Sequence, residues 1–363
     1  CGKFTFIFRK KFSSNRKYLV TKFATSQSVG TLAVIVKKTA KIDKMQTEEL
    51  RKQCKRFFWC ETISDCQELL DIYIEFFFQA VLKHHDEKVY TYPEADARIV
   101  IQMMMTKALH LKNALNGVDY VSKDNRKLNN IIDPTIVASL IRNVYETTGM
   151  FNLIYRNAKN KDERNIIYLL WVHAGLSYRK RFDNIITTKE NLEKAENEKK
   201  QIESIQNQIE QNDLFIKLDE KNQGKIRTKL KEKDYLIRFE NEEVEFLSWR
   251  ELTKTMDIKN GKLDHAYTYF SLYSHPSNVS VFQFANMFEK GKEAYPDLVI
   301  FNLQIAFYMF SVFIADYINL FPNVLKTYEE MGLVEQIVIN FHNSLARGHE
   351  YDINESWKAT GGG

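Results

Sequence analysis

Residues 298–315 read Leu-Val-Ile-Phe-Asn-Leu-Gln-Ile-Ala-Phe-Tyr-Met-Phe-Ser-Val-Phe-Ile-Ala, an almost continuous apolar stretch. This length is nearly enough for a helix to cross a bilayer. Asn302, Gln304 and the following Asp316 would be costly in lipid, and the chain has no second stretch of this kind. The sequence therefore favours the central helix of a bundle over a membrane span, and it predicts no membrane partner.

The composition favours helices along the rest of the chain. Of the 363 residues, 44% are hydrophobic and 13% aromatic, which is ample for a packed core. The chain has only 13 Gly and 5 Pro, and it lacks the alternating valine-rich runs of an all-β protein. We therefore predict an all-α fold, a multi-helix bundle from which a charged helical hairpin protrudes.

The charge is unevenly distributed. Residues 1–44 carry eleven Lys or Arg and one acid, Asp43, whereas the other 319 residues carry 41 basic and 46 acidic side chains, a net charge of −5. A mildly acidic body argues against a large nucleic-acid-binding face. The basic extension is interpreted as a disordered arm, an organellar targeting segment, or vector-derived sequence ahead of a native start near Met45.

The same composition changes divide the remainder of the chain. We predict two halves of one helical bundle, separated by an insert and followed by a polar tail that frays. These segments lie at 45–187 and 247–345 for the bundle, 188–246 for the insert and 346–363 for the tail.

The insert at 188–246 is rich in Glu, Lys, Gln and Asn, and its apolar positions are widely spaced. Gly224 lies between its two halves. This pattern predicts a charged helical hairpin with short coiled-coil packing. Such a hairpin is either an exposed excursion without a partner or a surface for self-association or for another protein. Because its apolar side chains are few, we expect the bundle to fold without it.

A first candidate site lies on a helix that begins at Asp133-Pro134, with Asp as the cap and Pro in the first turn. Arg142 and Glu146 are one turn apart on this helix, opposite its main apolar arc. They form either an ordinary ion pair or the lining of a pocket, in which Arg binds phosphate or carboxylate and Glu orients it. Asn143 is a candidate binding residue beside them.

A second polar motif at 267–277 reads Tyr-Thr-Tyr-Phe-Ser-Leu-Tyr-Ser-His-Pro-Ser. Pro276 disfavours the helical conformation for the residue before it, so the helix should end near Ser274 and His275 should lie in a turn facing a cavity. The hydroxyls suit equally well a polar helix end and the cap of the next helix. The candidate residues are Tyr267, Ser271 and Ser277 for binding, and Ser274 and His275 for catalysis.

No familiar catalytic or cofactor signature is present. The chain has no glycine-rich phosphate loop, no Gly-x-Ser-x-Gly and no His-Glu-x-x-His. Its four cysteines lack the spacing of zinc ligands. His84 and His85 are adjacent on a predicted helix, so their side chains point about 100° apart and do not easily share one ion. We predict no cofactor and no metal.

The order of these motifs resembles a bacterial all-helical family catalogued as a domain of unknown function. The likeness runs over roughly residues 90–320 and rests on Leu140-x-Arg142-x-x-x-Glu146, a buried helix containing Trp, Trp249-Arg-Glu-Leu and the motif at 267–277. The resemblance implies a cytoplasmic helical protein with a shared set of Arg, Glu, Ser and His residues. It implies no known activity.

A weaker likeness is to helical ribonucleases of the higher-eukaryote and prokaryote nucleotide-binding class, which are frequent in toxin and phage-defence systems. Those proteins carry Arg, a polar residue and then His on one helix. Arg142-Asn143 begins this pattern, but Thr147 stands where the nearest His is expected. Catalysis would therefore need His275 to supply the imidazole from another helix.

Two hypotheses follow. In the first, the protein is a metal-independent ribonuclease or nucleotide-handling defence protein, in which Arg142 stabilises phosphate charge, His275 is the general acid or base, and Glu146 and Ser274 orient them. Its partner would be RNA or a nucleotide. In the second, the chain is a non-enzymatic helical module that binds a ligand or protein through the same pocket or through residues 188–246. The acidic body favours the second hypothesis and the two-motif site favours the first.

Overall fold

A computed structural model describes residues 46–185, 188–241, 243–259, 261–286 and 295–361. The predicted basic extension at 1–44 lies outside the described residues. The α-helices are α1 (46–58), α2 (Ile63–His84), α3 (Tyr92–Ala114), α4 (Pro134–Phe151), α5 (Lys161–Arg179), α6 (Lys189–Glu210), α7 (Asp213–Lys217), α8 (Glu220–Glu232), α9 (Leu252–Thr255), α10 (Ala266–Ser274), α11 (Asn278–Asn286), α12 (Tyr295–Leu320), α13 (Val324–Glu329) and α14 (Leu333–Ala346). The all-α multi-helix bundle is thereby confirmed.

Two small antiparallel hairpins accompany the helices. Strand β1 (Val118–Val121) pairs with β2 (Lys127–Ile131), and β3 (Ile237–Glu240) pairs with β4 (Glu243–Phe246). One π-helical turn, Asn152–Arg156, continues α4. Residues 47–363 form one compact unit, to which both predicted halves of the bundle contribute.

The apolar stretch at 298–315 is the buried centre of this unit. It lies within α12, which packs against α2, α4 and α14, and Leu303, Phe307 and Phe310 are fully buried. Pro296–Leu320 is long and apolar enough to cross a membrane, but 72% of its most apolar window is buried inside the protein. The predicted central bundle helix is confirmed, and the absence of a membrane partner stays a prediction.

The helices begin where their capping residues predict. Asp133 accepts hydrogen bonds from the backbone N–H groups of Thr135 and Ile136, so α4 begins at Pro134 as the sequence indicates. Thr62 and Asp65 form a reciprocal capping box at the start of α2. These local contacts stabilise helix ends by about 1 kcal/mol each, and the packing of apolar faces holds the helices together.

A buried ion pair joins the elements around α12. Asp316 and Arg347 are 2% and 3% exposed, and the two terminal guanidinium nitrogens each donate to one carboxylate oxygen at 2.8 Å. Asn152 in the π-helical turn donates to the same carboxylate at 2.9 Å. Nε of Arg347 donates to the carbonyl of Met256 at 2.6 Å. The pair therefore connects α12, α14, the end of α4 and the loop after α9.

A second buried polar cluster lies between α2, α12 and α14. The Tyr73 hydroxyl is 2.7 Å from Oγ of Ser311 and 2.9 Å from Nδ1 of His342. All three side chains are fully buried. Burial lowers the pKa of His342 to about 3, so the imidazole stays neutral inside the protein.

The predicted hairpin at 188–246 is only partly correct. Its first half is the charged helix α6, but the second half contains the shorter helices α7 and α8 and then the β3–β4 hairpin instead of one long partner helix. The apolar positions are sparse, yet they face α5 and join the core. The buried members are Ile205, Ile209, Phe215, Ile226, Leu236, Ile237, Phe239 and Val244. The segment is thus part of the body, and the expectation that the body folds without it loses its physical basis.

The tail was expected to fray, and this expectation is wrong. Polar side chains along α14 bind the segment 349–360, which contains two 3₁₀ turns. Asn340 donates to Asn354 and Ser356, and Asn343 donates to the carbonyl of Tyr351 at 2.6 Å. A polar tail is ordered here because the helix beneath it presents matching polar groups.

We expect Asp316→Ala to lower the free energy of unfolding by about 3–5 kcal/mol, because it leaves the Arg347 guanidinium buried without its counter-charge. Urea denaturation would measure the change. Lys83→Ala is the control, since it removes an ion pair with Glu330 whose side chains are 40% and 49% exposed, and it should cost far less. Equal losses in the two variants would contradict a central role for the buried pair.

His342 should also make the protein sensitive to acid. Its pKa is about 3 in the folded protein and near 6.5 when unfolded. Between these values the unfolded chain takes up a proton that the folded protein excludes. This residue should therefore lower the free energy of unfolding by about 1.4 kcal/mol per pH unit as the pH falls below 6.5, and should contribute no slope above it. Urea denaturation at pH 7 and pH 5 checks this expectation, and an unchanged difference in His342→Gln would refute it.

Candidate functional site

Arg142, Glu146 and Tyr267 meet where α10 packs on α4. Nε of Arg142 is 2.9 Å from Oε1 of Glu146, and one terminal nitrogen donates to the Tyr267 hydroxyl at 2.7 Å. The guanidinium carbon lies 4.7 Å from the centre of the Tyr267 ring. The Arg142 and Glu146 side chains are 19% and 26% exposed, so the pair is half-buried. Two of the sequence motifs therefore do converge, through the first residue of the second motif.

Behind this cluster lies a series of aromatic contacts. The Tyr267 ring is stacked with Trp249, with centroids 6.4 Å apart and planes at 13°. Trp249 in turn meets Tyr235 edge to face at 6.2 Å. The Tyr145 hydroxyl donates to the carbonyl of Trp249 at 2.9 Å. Burial raises the pKa of Tyr145 and of Tyr235, so both phenols stay neutral. The Tyr145 hydroxyl on α4 and the Tyr267 ring on α10 thereby hold Trp249 in one position.

Trp249 and Tyr235 form one wall of a cleft of about 1060 Å³. The opposite wall is the outer face of α5, which contributes Trp171, Gly175 and Tyr178. Gly175 leaves this wall open, since no atom lies within 4 Å of a Cβ built there. The remaining lining residues are Asp96, Val172, Ala174, Leu176, Arg179, Glu232, Lys233, Asp234, Leu236, Leu247 and Ser248.

Most charged groups of the cleft already have partners. Asp96 accepts a hydrogen bond from Tyr168, Arg179 pairs with Glu198, and Lys229 pairs with both Glu232 and Asp234. Lys233 differs, because its ammonium group has no hydrogen bond or ion pair within the described part of the chain. The cleft therefore presents aromatic faces and one cation that is available to a ligand.

Lys233 owes its position to the end of α8. It caps this helix in the left-handed conformation, with φ +61° and ψ +46°, and the next N–H donates to the carbonyl of Lys229 at 3.0 Å. Glycine is the usual residue at such a cap, and a side chain costs about 1 kcal/mol there. Stability alone therefore favours glycine over lysine at position 233.

The other predicted residues lie elsewhere or serve the helices. The oxygen of the Asn143 side chain accepts a hydrogen bond from Lys107 on α3. Burial lowers the pKa of Lys107, and the nearby Glu146 opposes that shift. Gly149 makes room for Leu252, whose Cδ1 would be 2.6 Å from an added Cβ. Asn143 thus joins α4 to α3 by a hydrogen bond, and Gly149 lets Leu252 pack against α4.

The serines of the second motif satisfy backbone groups. Oγ of Ser271 donates to the Tyr267 carbonyl at 2.7 Å, Oγ of Ser274 to Phe270 at 3.0 Å and Oγ of Ser277 to Leu272 at 2.7 Å. Ser277 also accepts from the N–H of Ser280, as the cap of α11. These contacts fit the interpretation of the hydroxyls as a polar helix end followed by the cap of the next helix.

His275 does not join the Arg142 cluster. It ends α10 in the extended conformation predicted before proline, and its side chain is exposed. Tyr267 lies eight residues earlier, about 12 Å along the helix axis at 1.5 Å per residue. Among the described residues, no hydrogen bond or ion pair links His275 to Arg142 or Glu146. The structure therefore joins Tyr267 to Arg142 and Glu146, whereas a catalytic role for His275 stays a prediction.

Sequence reasoning missed the cleft itself. Trp249 belongs to the motif Trp249-Arg-Glu-Leu, but nothing in the local pattern indicates that it faces α5 across open space. Among the described residues, no group of three or more His, Cys, Asp or Glu is arranged to hold a metal ion. The chain matches no protein-family model, no curated protein and no solved structure.

Arg142→Ala should lower the free energy of unfolding by about 1–3 kcal/mol, because it removes hydrogen bonds from Glu146 and from the Tyr267 hydroxyl in a half-buried cluster. His275→Ala should change it by about 0.5 kcal/mol or less, as expected for an exposed turn residue. Urea denaturation of the two variants makes the comparison. A larger loss for His275→Ala would contradict the description of His275 as an exposed turn residue with few stabilising contacts.

Proposed function

We propose that the protein is a non-enzymatic helical module that binds a nucleotide, a planar base joined to an anionic phosphate, in the cleft between α5 and residues 232–249. The observation that carries this proposal is the combination of aromatic walls with one unpaired cation, Lys233. Aromatic rings stack on nucleobases with a gain of about 1–3 kcal/mol per base. A lysine ammonium binds phosphate as a point charge.

The dimensions of the cleft support a small ligand. Its volume of about 1060 Å³ is just above the range of roughly 300–1,000 Å³ for small-molecule sites. The walls are largely apolar, and the support behind Trp249 fixes one of them before a ligand arrives. Preorganisation of this kind lowers the entropic cost of binding.

Binding is favoured here over the ribonuclease hypothesis. A general acid or base must come within hydrogen-bonding reach of the reacting group, directly or through one water. The ribonuclease mechanism requires Arg142 and His275 to act on the same phosphate. No described contact joins these two side chains. The net charge of −5 outside the basic extension also favours a single nucleotide over a long RNA. A cytoplasmic location, and a protein partner or self-association through 188–246, stay predictions.

Titration with adenosine monophosphate tests the proposal. Trp171 and Trp249 are two of the four tryptophans in the chain, so their fluorescence should be quenched saturably as the base stacks between the walls. We expect Lys233→Gly to weaken binding by about fivefold, as for the loss of one exposed ion pair. This variant should keep its stability, because glycine adopts the left-handed conformation without strain.

Gly175→Leu is the second variant, and Lys231→Ala is the matched control. Leucine at 175 should block the cleft and weaken binding tenfold or more without destabilising α5, since the added atoms meet open space and a helical glycine is removed. Lys231 is an exposed lysine of α8 that does not line the cleft, so its variant should bind like the unmodified protein. Absence of saturable quenching at millimolar nucleotide, or equal affinity in all four proteins, would refute the proposal.

A further inference from the structure

A second cavity of about 390 Å³ lies between α1, α14 and the segment 349–360. It shares no lining residue with the nucleotide cleft. Its walls are mostly apolar, and the rings of Phe58 and Phe341 are stacked at 3.9 Å along one side. Ile337, Leu345 and Trp357 complete the apolar lining. A volume within the range for small-molecule sites makes this cavity a candidate binding site.

The base of the cavity carries no charge. Cys54 is fully buried there, and burial raises its pKa to about 11, so the thiol is neutral at physiological pH. Asn340 lines the same region, and its amide is already bonded to Asn354 and Ser356. The interior therefore suits an alkyl chain, which gains free energy in proportion to the apolar area it buries.

The mouth of the cavity is cationic. Arg51, Lys259 and His349 lie there with one acid, Asp352. The Asp352 carboxylate already has partners, because it accepts a hydrogen bond from Ser344 and faces His349. Arg51 donates its Nε to the carbonyl of Thr360, and its guanidinium has no ion pair within the described part of the chain. The Lys259 ammonium has no hydrogen bond or ion pair within the described residues. An anionic group at the mouth would therefore meet two unpaired cations.

The cavity is preformed. Its outer wall is held by the hydrogen bonds from α14 to residues 351–356, and the backbone N–H of Lys259 donates to the Ala346 carbonyl at 2.9 Å. A ligand would thus enter without a rearrangement of the walls, which keeps the cost of binding low.

We propose that this cavity binds a medium-chain carboxylic acid. The alkyl chain would lie among Phe58, Phe341 and Leu345, and the carboxylate would lie at the mouth beside Lys259 and Arg51. The site is separate from the cleft between α5 and residues 232–249, so failure of one proposal would not affect the other.

Isothermal titration calorimetry of the full chain with octanoate tests this proposal. We expect saturable binding with a negative heat-capacity change, the mark of apolar burial. Octanol has the chain without the charge, and acetate has the charge without the chain, so each should bind more weakly than octanoate. Lys259→Ala should weaken octanoate about fivefold and leave octanol unaffected.

Lys262→Ala is the matched control, because this neighbouring lysine does not line the cavity, and it should bind octanoate normally. Leu345→Trp should fill the cavity and abolish binding, with its melting temperature recorded beside it. Lys259 is exposed, so its variant tests the mouth even if Leu345→Trp is unstable. Absence of saturable binding, or an octanoate affinity unchanged by Lys259→Ala, would overturn the proposal.

Discussion

The ion pair between Asp316 and Arg347 is the contact on which the arrangement of the bundle depends. Both charges have lost almost all contact with water, so the fold is stable only if their hydrogen bonds are complete. They are completed by Asn152 from one side and by the Met256 carbonyl from the other. An apolar helix such as α12 can rotate or slide with little change in buried area, but a buried charge has one position. The pair therefore fixes the register of α12 against α4 and α14.

The π-helical turn after α4 belongs to the same constraint. The widened turn, in which the N–H of Asn157 donates to the Asn152 carbonyl at 2.8 Å, brings the Asn152 side chain to Asp316. The rest of α4 is then fixed along its length. Its outward residues Arg142 and Glu146 meet Tyr267, and Tyr145 holds the carbonyl of Trp249. The wall of the cleft is thus linked to the core through one helix.

Much of the fold could be predicted from residue patterns within a single element. The apolar stretch at 298–315, the cap at Asp133-Pro134 and the Arg142–Glu146 pair are local features, and all three occur as expected. The β3–β4 hairpin could not be predicted this way. Its strands have four residues each, and their apolar members, such as Ile237 and Val244, fit a helical spacing equally well.

The cleft and the ordered tail depend on contacts between distant parts of the chain. The tail is polar in sequence, and only its pairing with the polar side of α14 makes it ordered. Likewise, Trp249 lines a cleft because residues 232–249 return to α5. His275 illustrates the opposite error, because a histidine before proline is typical of a turn but does not specify what the turn faces.

We propose that a ligand binds between α5 and residues 232–249, in a cleft supported from behind by α4. Hydrogen–deuterium exchange with and without saturating adenosine monophosphate tests this claim most directly, since it locates the bound segment without a substitution. We expect slower exchange at the amides of residues 175–179, 232–236 and 247–249, with the turn around His275 unaffected. Protection confined to the His275 turn, or no change at the three cleft segments, would contradict the account.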